Sequence, residues 1–122
     1  MKRYLLHTRN INNSLVFYRA LFNRMPDELD GWRMKYFLPK LQVEIVEDEI
    51  PPKEGGIQSL EVKVYDQLAA LNKRMKRFRS VVNWKEDCKR LGDAFGLLDP
   101  DGNKWIIGNP QTEVHFEKCY VK

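Results

Sequence analysis

The sequence predicts an α+β protein assembled from two halves of like order, each a strand, a helix and then further strands. Three observations carry this reading. Two helix-capping points, in residues 10–13 and at Asp66, stand about fifty residues apart, which is the spacing of a structural repeat. A stretch rich in proline and glycine, with Pro51, Pro52, Gly55 and Gly56, separates the halves as a linker. A Pro100-Asp101-Gly102-Asn103 turn sits between two strand-length apolar runs near the end of the chain. Proline presets one backbone angle and Gly or Asn accepts positive φ, so that stretch reads as a closing hairpin.

Each element follows from local pattern. Residues 4–8 read as a strand that the asparagines of 10–13 interrupt, and asparagine is a good helix cap. Residues 14–22 read as a helix, with Leu15, Tyr18, Leu21 and Phe22 at spacings of three and four. Asn23 serves as its C-terminal cap and Pro26 prevents extension. A short strand is expected within residues 25–29. Residues 32–38 alternate, Trp32, Met34, Tyr36 and Leu38 against Arg33 and Lys35, as a strand does. After a turn at Pro39-Lys40, residues 41–46 alternate again. Residues 57–64 open the second half as a strand. Asp66 caps a helix whose apolar stripe is Leu68, Leu71, Met75 and Phe78. Residues 80–84 read as a strand, 86–90 as a charged loop, and 93–98 with 104–107 as the hairpin. Residues 109–122 have no clear period and form a C-terminal extension beyond a single domain, 1–108, of two modules, 1–50 and 57–108.

Composition bounds the function. A chain of 122 residues is one domain with enough length for a core. No apolar run approaches the roughly 20 residues of a membrane helix, and the apolar stretch that follows the basic start is too short for a signal peptide, so a cytoplasmic protein is expected. Cys88 and Cys119 fit reduced thiols there, with a disulfide between them left open. The net charge of +4 is modest, and much of it lies in residues 73–79. That run reads as a solvated helix face; without a nucleic-acid-binding signature beside it, nucleic acid is not the expected partner.

Strand parity places the polar residues. Tyr4 and Leu6, then Leu41, Val43 and Ile45, then Leu60, Val62 and Val64 should bury against the helices. The opposite faces then carry Arg3, Leu5 and His7; Gln42, Glu44 and Val46; and Ser59, Glu61 and Lys63. Those faces either meet water or line a polar pocket, with Trp32 or Trp84 as aromatic wall.

Three pieces together resemble the vicinal oxygen chelate superfamily of glyoxalases, extradiol dioxygenases and bleomycin resistance proteins. They are residues 10–22, with Ser14, Phe17-Tyr18 and Leu21-Phe22; residues 60–66; and residues 95–105, with Asp99-Pro100-Asp101-Gly102-Asn103. The resemblance implies two βαβββ modules whose strands curl around a cup, in a homodimer. The spacing around Leu21-Phe22-Asn23 and Pro26, with Cys88 before the last hairpin, is similar to the cadmium-induced and organoarsenical-lyase branch.

Enzymes of that family hold a divalent metal with His or Gln on the first strand of each module and carboxylates on the last strands. Carried over position by position, those sites fall on Arg3, on Ser59 (Gln58 if the register slips by one), on Ile106 and on Glu44. Arginine has no lone pair to donate and isoleucine has no donor. His115 and Cys119 on the tail make no closed set. The expectation is therefore a small-molecule-binding protein without the family metal, as bleomycin resistance proteins are. Glu44 and His7 are candidates for proton transfer, and Arg3, Gln42, Ser59, Glu61, Lys63 and Trp84 for ligand contact. The alternative is a metal-dependent glyoxalase-like lyase, isomerase or dioxygenase with a rearranged site.

Overall fold

The computed structural model describes residues 2–48, 57–61, 65–78 and 94–109. The order is β1 (Lys2–Thr8), α1 (Ile11–Phe22), β2 (Glu28–Leu29), β3 (Arg33–Leu38), β4 (Leu41–Glu47), β5 (Ile57–Glu61), α2 (Tyr65–Phe78), β6 (Ala94–Leu98) and β7 (Lys104–Gly108). The first half forms a four-stranded mixed sheet in the order β1-β4-β3-β2, in which β1 runs parallel to β4. The described strands of the second half repeat the scheme as β5-β7-β6, with β5 parallel to β7 and β6 antiparallel to it. The strand expected at 80–84, the loop at 86–90 and the extension from 110 lie outside the described residues, as do Lys63, Trp84, Cys88, His115 and Cys119.

Helix α1 begins at Ile11, three residues ahead of the expected start. Three asparagines, Asn10, Asn12 and Asn13, offer a start, and Asn10 takes the role: its side chain accepts from the Asn12 and Asn13 amides at 3.0 and 3.2 Å. The Glu47 carboxylate accepts from the Ile11 amide at 3.1 Å, a favourable place for negative charge. Asn23 ends the helix in the left-handed conformation, φ 57°, as a C-terminal cap should. The two-residue turn between β3 and β4 puts Lys40 at φ 65°.

One core serves both halves. Met34, Tyr36, Val43 and Ile45 from the first sheet, Phe17, Tyr18 and Leu21 from α1, Leu68 and Met75 from α2, and Leu97, Trp105 and Ile107 from the hairpin all bury in it. Trp105 lies at its centre, with ring centroids 5.7 Å from Tyr4 and 5.9 Å from both Tyr18 and Phe22. Such edge-to-face contacts stabilise beyond the area they bury. Among the described residues no helix is long and apolar enough to cross a membrane.

Candidate functional site

Alternation along β1, β3 and β4 divides the first sheet cleanly. The apolar set turns to α1, and the other face stays open. On that open face the β1–β4 register sets Arg3 beside Gln42, Leu5 beside Glu44 and His7 beside Val46. The β3–β4 register adds Lys35 beside Glu44, Phe37 beside Gln42 and Arg33 beside Val46. Arg3, His7, Gln42 and Glu44 thus share one surface. Arg33, Lys35 and Phe37 belong to it as well; the alternation of residues 32–38 was the signal that would have included them.

Glu44 is the centre of this face. The Arg33 guanidinium approaches its carboxylate at 3.7 Å, each side chain being 28% exposed, so the pair is half-shielded from water. Arg33 also bonds Asp30 at 3.3 Å and lies 5.2 Å from the centroid of the Trp32 ring. His7 stands one pleat along β1, with Nδ1 3.7 Å from Asp48. Leu5 and Phe37 remain 60% and 44% exposed among these charges. Two clefts, of about 710 Å³ beside Asn12 and about 450 Å³ beside Arg74, lie elsewhere; neither is lined by Glu44, His7, Arg3 or Gln42.

Ser59 and Glu61 stand in the second sheet, opposite Ile106 and Gly108 in the β5–β7 ladder. The positions to which the family pattern assigns metal ligands therefore come as Arg3 next to Gln42, Glu44 next to Leu5, and Ser59 next to Ile106. A cationic guanidinium and a hydrocarbon side chain do not fit a divalent cation. Among the described residues no three His, Cys, Asp or Glu side chains converge.

A second polar centre, which sequence reasoning missed, is buried where the halves meet. Asp99, 3% exposed, accepts four hydrogen bonds. The Tyr18 hydroxyl and the Asn103 side-chain amide each donate to Oδ2 at 2.7 Å. The Asp101 and Asn103 backbone amides donate to Oδ1 at 2.9 and 2.7 Å. Trp105 Nε1 donates to the Tyr18 oxygen at 3.1 Å. Burial pushes the Asp99 pKa up to about 6 against the opposing bonds from Tyr18 and Asn103. Burial, then the neighbouring Asp99 charge, holds the Tyr18 phenol well above its usual value. Asp101 reaches the other way and accepts from the Arg9 amide at 2.9 Å and from the Ser14 hydroxyl at 3.4 Å, while Asn103 donates to the His7 carbonyl at 3.3 Å. These bonds tie the closing hairpin to α1, to the end of β1 and to Arg9 between them, so the centre locks the two modules together.

No family model matches the chain. A trivalent organoarsenical cleaving enzyme from a Bacillus species is 27% identical over 116 residues, covering 89% of this chain and 72% of that protein. Among solved structures, a glyoxalase/bleomycin resistance protein from Catenulispora acidiphila superposes with a TM-score of 0.67 at 18% identity, covering 88% of this chain and 95% of that one. The fosfomycin resistance protein FosX from Mesorhizobium loti gives 0.69 at 8% identity, covering 91% and 92%. A lactoylglutathione lyase from Agrobacterium tumefaciens gives 0.64 at 14% identity, covering 90% and 92%. With its strand–helix–strand order repeated and its two mixed sheets, the chain has the fold of the vicinal oxygen chelate superfamily, in the form used by glyoxalase and bleomycin resistance proteins.

Proposed function

We propose that the protein binds a small polar or aromatic molecule on the open face of its first sheet, without a resident metal, and works as a homodimer. The observation that carries this reading is the make-up of that face. Arg3, Arg33 and Lys35 stand with Glu28 and Glu44 around exposed Leu5 and Phe37. Arg33 is paired with Asp30 and Glu44, and His7 with Asp48, so the face carries charges of both signs; these favour a strongly polar ligand, and the apolar residues favour one with a flat or hydrocarbon part. Glu44, held by Arg33, and His7, held near Asp48, would orient the ligand or exchange a proton with it.

The test is elemental analysis of the purified protein together with thermal-shift titrations against divalent cations. The expected result is substoichiometric metal and no cation-dependent rise in melting temperature. One tightly held divalent ion per chain, lost in Glu44→Gln, would overturn the reading. Sedimentation at micromolar concentration tests the dimer.

The relative from Bacillus favours a second reading, an enzyme that acts on a trivalent organoarsenical. Soft centres favour thiolate sulfur, and the chain carries two cysteines, Cys88 and Cys119. Incubation with phenylarsenite, with release of the arene followed by chromatography, decides it. Release lost in Cys88→Ser and Cys119→Ser supports this reading; no release under reducing aerobic conditions with added ferrous iron removes it.

A further inference from the structure

The Asp99 network joins the halves beside the start of α1. At the other end of that helix a groove of about 450 Å³ lies between the last turn of α1, the β3–β4 turn and α2. This is the helix side of the first sheet, so the groove is separate from the open face and does not depend on the function proposed for that face. Phe22, Leu38, Leu60 and Leu71 give it apolar walls, and Arg74 is the charged group among its lining residues. The volume falls in the range of small-molecule sites, which are mostly apolar with a few placed polar groups.

Arg74 is held in position. Its Nε donates to the Ala20 carbonyl at 2.5 Å and its Nη2 to the Leu21 carbonyl at 3.3 Å, at the end of α1. A guanidinium has five N–H groups, so these two bonds leave donors over. Burial lowers the Arg74 pKa, which marks a cation partly removed from water. Among the described residues no carboxylate lies within ion-pair distance of it. A half-desolvated cation at the wall of an apolar groove is complemented by an anion with a hydrocarbon body. The carbonyl end of α1 carries partial negative charge beside it, which disfavours a dianion and leaves a monoanion as the match.

We propose that this groove binds a small apolar monocarboxylate, its hydrocarbon lying along Leu38, Leu60 and Leu71 and its carboxylate pairing with Arg74. The probe is octanoate, titrated calorimetrically into the full chain well below the concentration at which it forms micelles, with octylamine and octanol as controls. Octanoate is expected to bind at one site, at least about tenfold tighter than either control. Ala70→Trp, on the exposed rim of the groove, should abolish binding without lowering the melting temperature. Arg74→Gln keeps a donor for the α1 carbonyls and should weaken octanoate by about tenfold or more. Glu44→Gln, on the other face of the first sheet, should leave the titration unchanged. Equal affinity for octanoate and octylamine would overturn the proposal, as would no binding by the wild type or unchanged binding in a folded Ala70→Trp variant. Should Arg74→Gln fail to fold, the comparison of octanoate with octylamine on the wild-type chain still decides the role of charge.

Discussion

Glu44 lies within β4 and Asp99 directly follows β6, and these two carboxylates stand in opposite conditions. Asp99 is enclosed and takes four donors from its own chain, two of them from side chains. Glu44 is partly open, has one loose ion pair at 3.7 Å and faces a surface on which hydrocarbon is still wet. A buried polar group must find its partners inside the fold, because leaving it unmet costs about 1–3 kcal/mol. A half-exposed one has water as its alternative and stays available to a ligand. The contrast separates residues that build this molecule from residues free to act for it.

The contrast can be broken from the largest effect downward. Trp105→Ala removes the ring at the shared core and the donor to Tyr18, and is expected to lower unfolding free energy by about 3–5 kcal/mol, read by urea denaturation. Asp99→Ala strands the Tyr18 and Asn103 donors and should cost about 3 kcal/mol, with a matching fall in melting temperature. Tyr18→Phe should cost about 1–3 kcal/mol, since it leaves Trp105 Nε1 and one Asp99 oxygen short of a partner. Glu44→Gln, by contrast, should change stability by less than about 0.5 kcal/mol, as surface substitutions do, while weakening whatever binds the open face. A loss as large as that of Asp99→Ala would mean that Glu44 too belongs to the framework.

Acidity sharpens the same comparison. Asp99 has a folded pKa raised to about 6, above the value of the unfolded chain. The folded state therefore holds its proton where the unfolded state has released it. The contribution is full below about pH 4, declines as pH rises through about 6, and then levels off. Its size is on the order of 2–3 kcal/mol. The difference in unfolding free energy between wild type and Asp99→Asn, measured at pH 4 and pH 7, should change by about that amount. A flat difference would show that the four donors fully offset burial.

Much of this fold was legible in the residues because period alone specifies faces. The alternation of 41–46 placed Leu41, Val43 and Ile45 inside and Gln42, Glu44 and Val46 on the open side, and the register bears this out. Of the stripe Leu68, Leu71, Met75 and Phe78, the first three are buried as their spacing required and Phe78 is half-buried against the core. The start of α1 expected from sequence falls late because Asn10, Asn12 and Asn13 compete as caps, and only the 3.0 and 3.2 Å bonds to Asn10 decide between them. The Asp99 lock was not legible. Its partners are 81 and 87 residues apart in sequence, and Tyr18 on an apolar stripe reads as another core ring. The Asp99-Pro100-Asp101-Gly102-Asn103 turn signalled a hairpin, and nothing local to it names Tyr18, Arg9 or Ser14 as what it grips. Open strand faces gave the candidate site; the groove at Arg74 depends on how two helices pack, which no single-segment pattern encodes.

The distance between Tyr18 and Asp99 along the chain also sets an order of events during synthesis. At the usual pace of translation, Asp99 is added about 4–16 s after Tyr18. Through that interval the emerging first half carries a tyrosine hydroxyl and a tyrosine–phenylalanine surface whose counterparts do not yet exist. Its first sheet can pair early, through the local turn at Lys40, but the nascent polypeptide stays exposed to chaperones and proteases until Asp99 and Trp105 have been added.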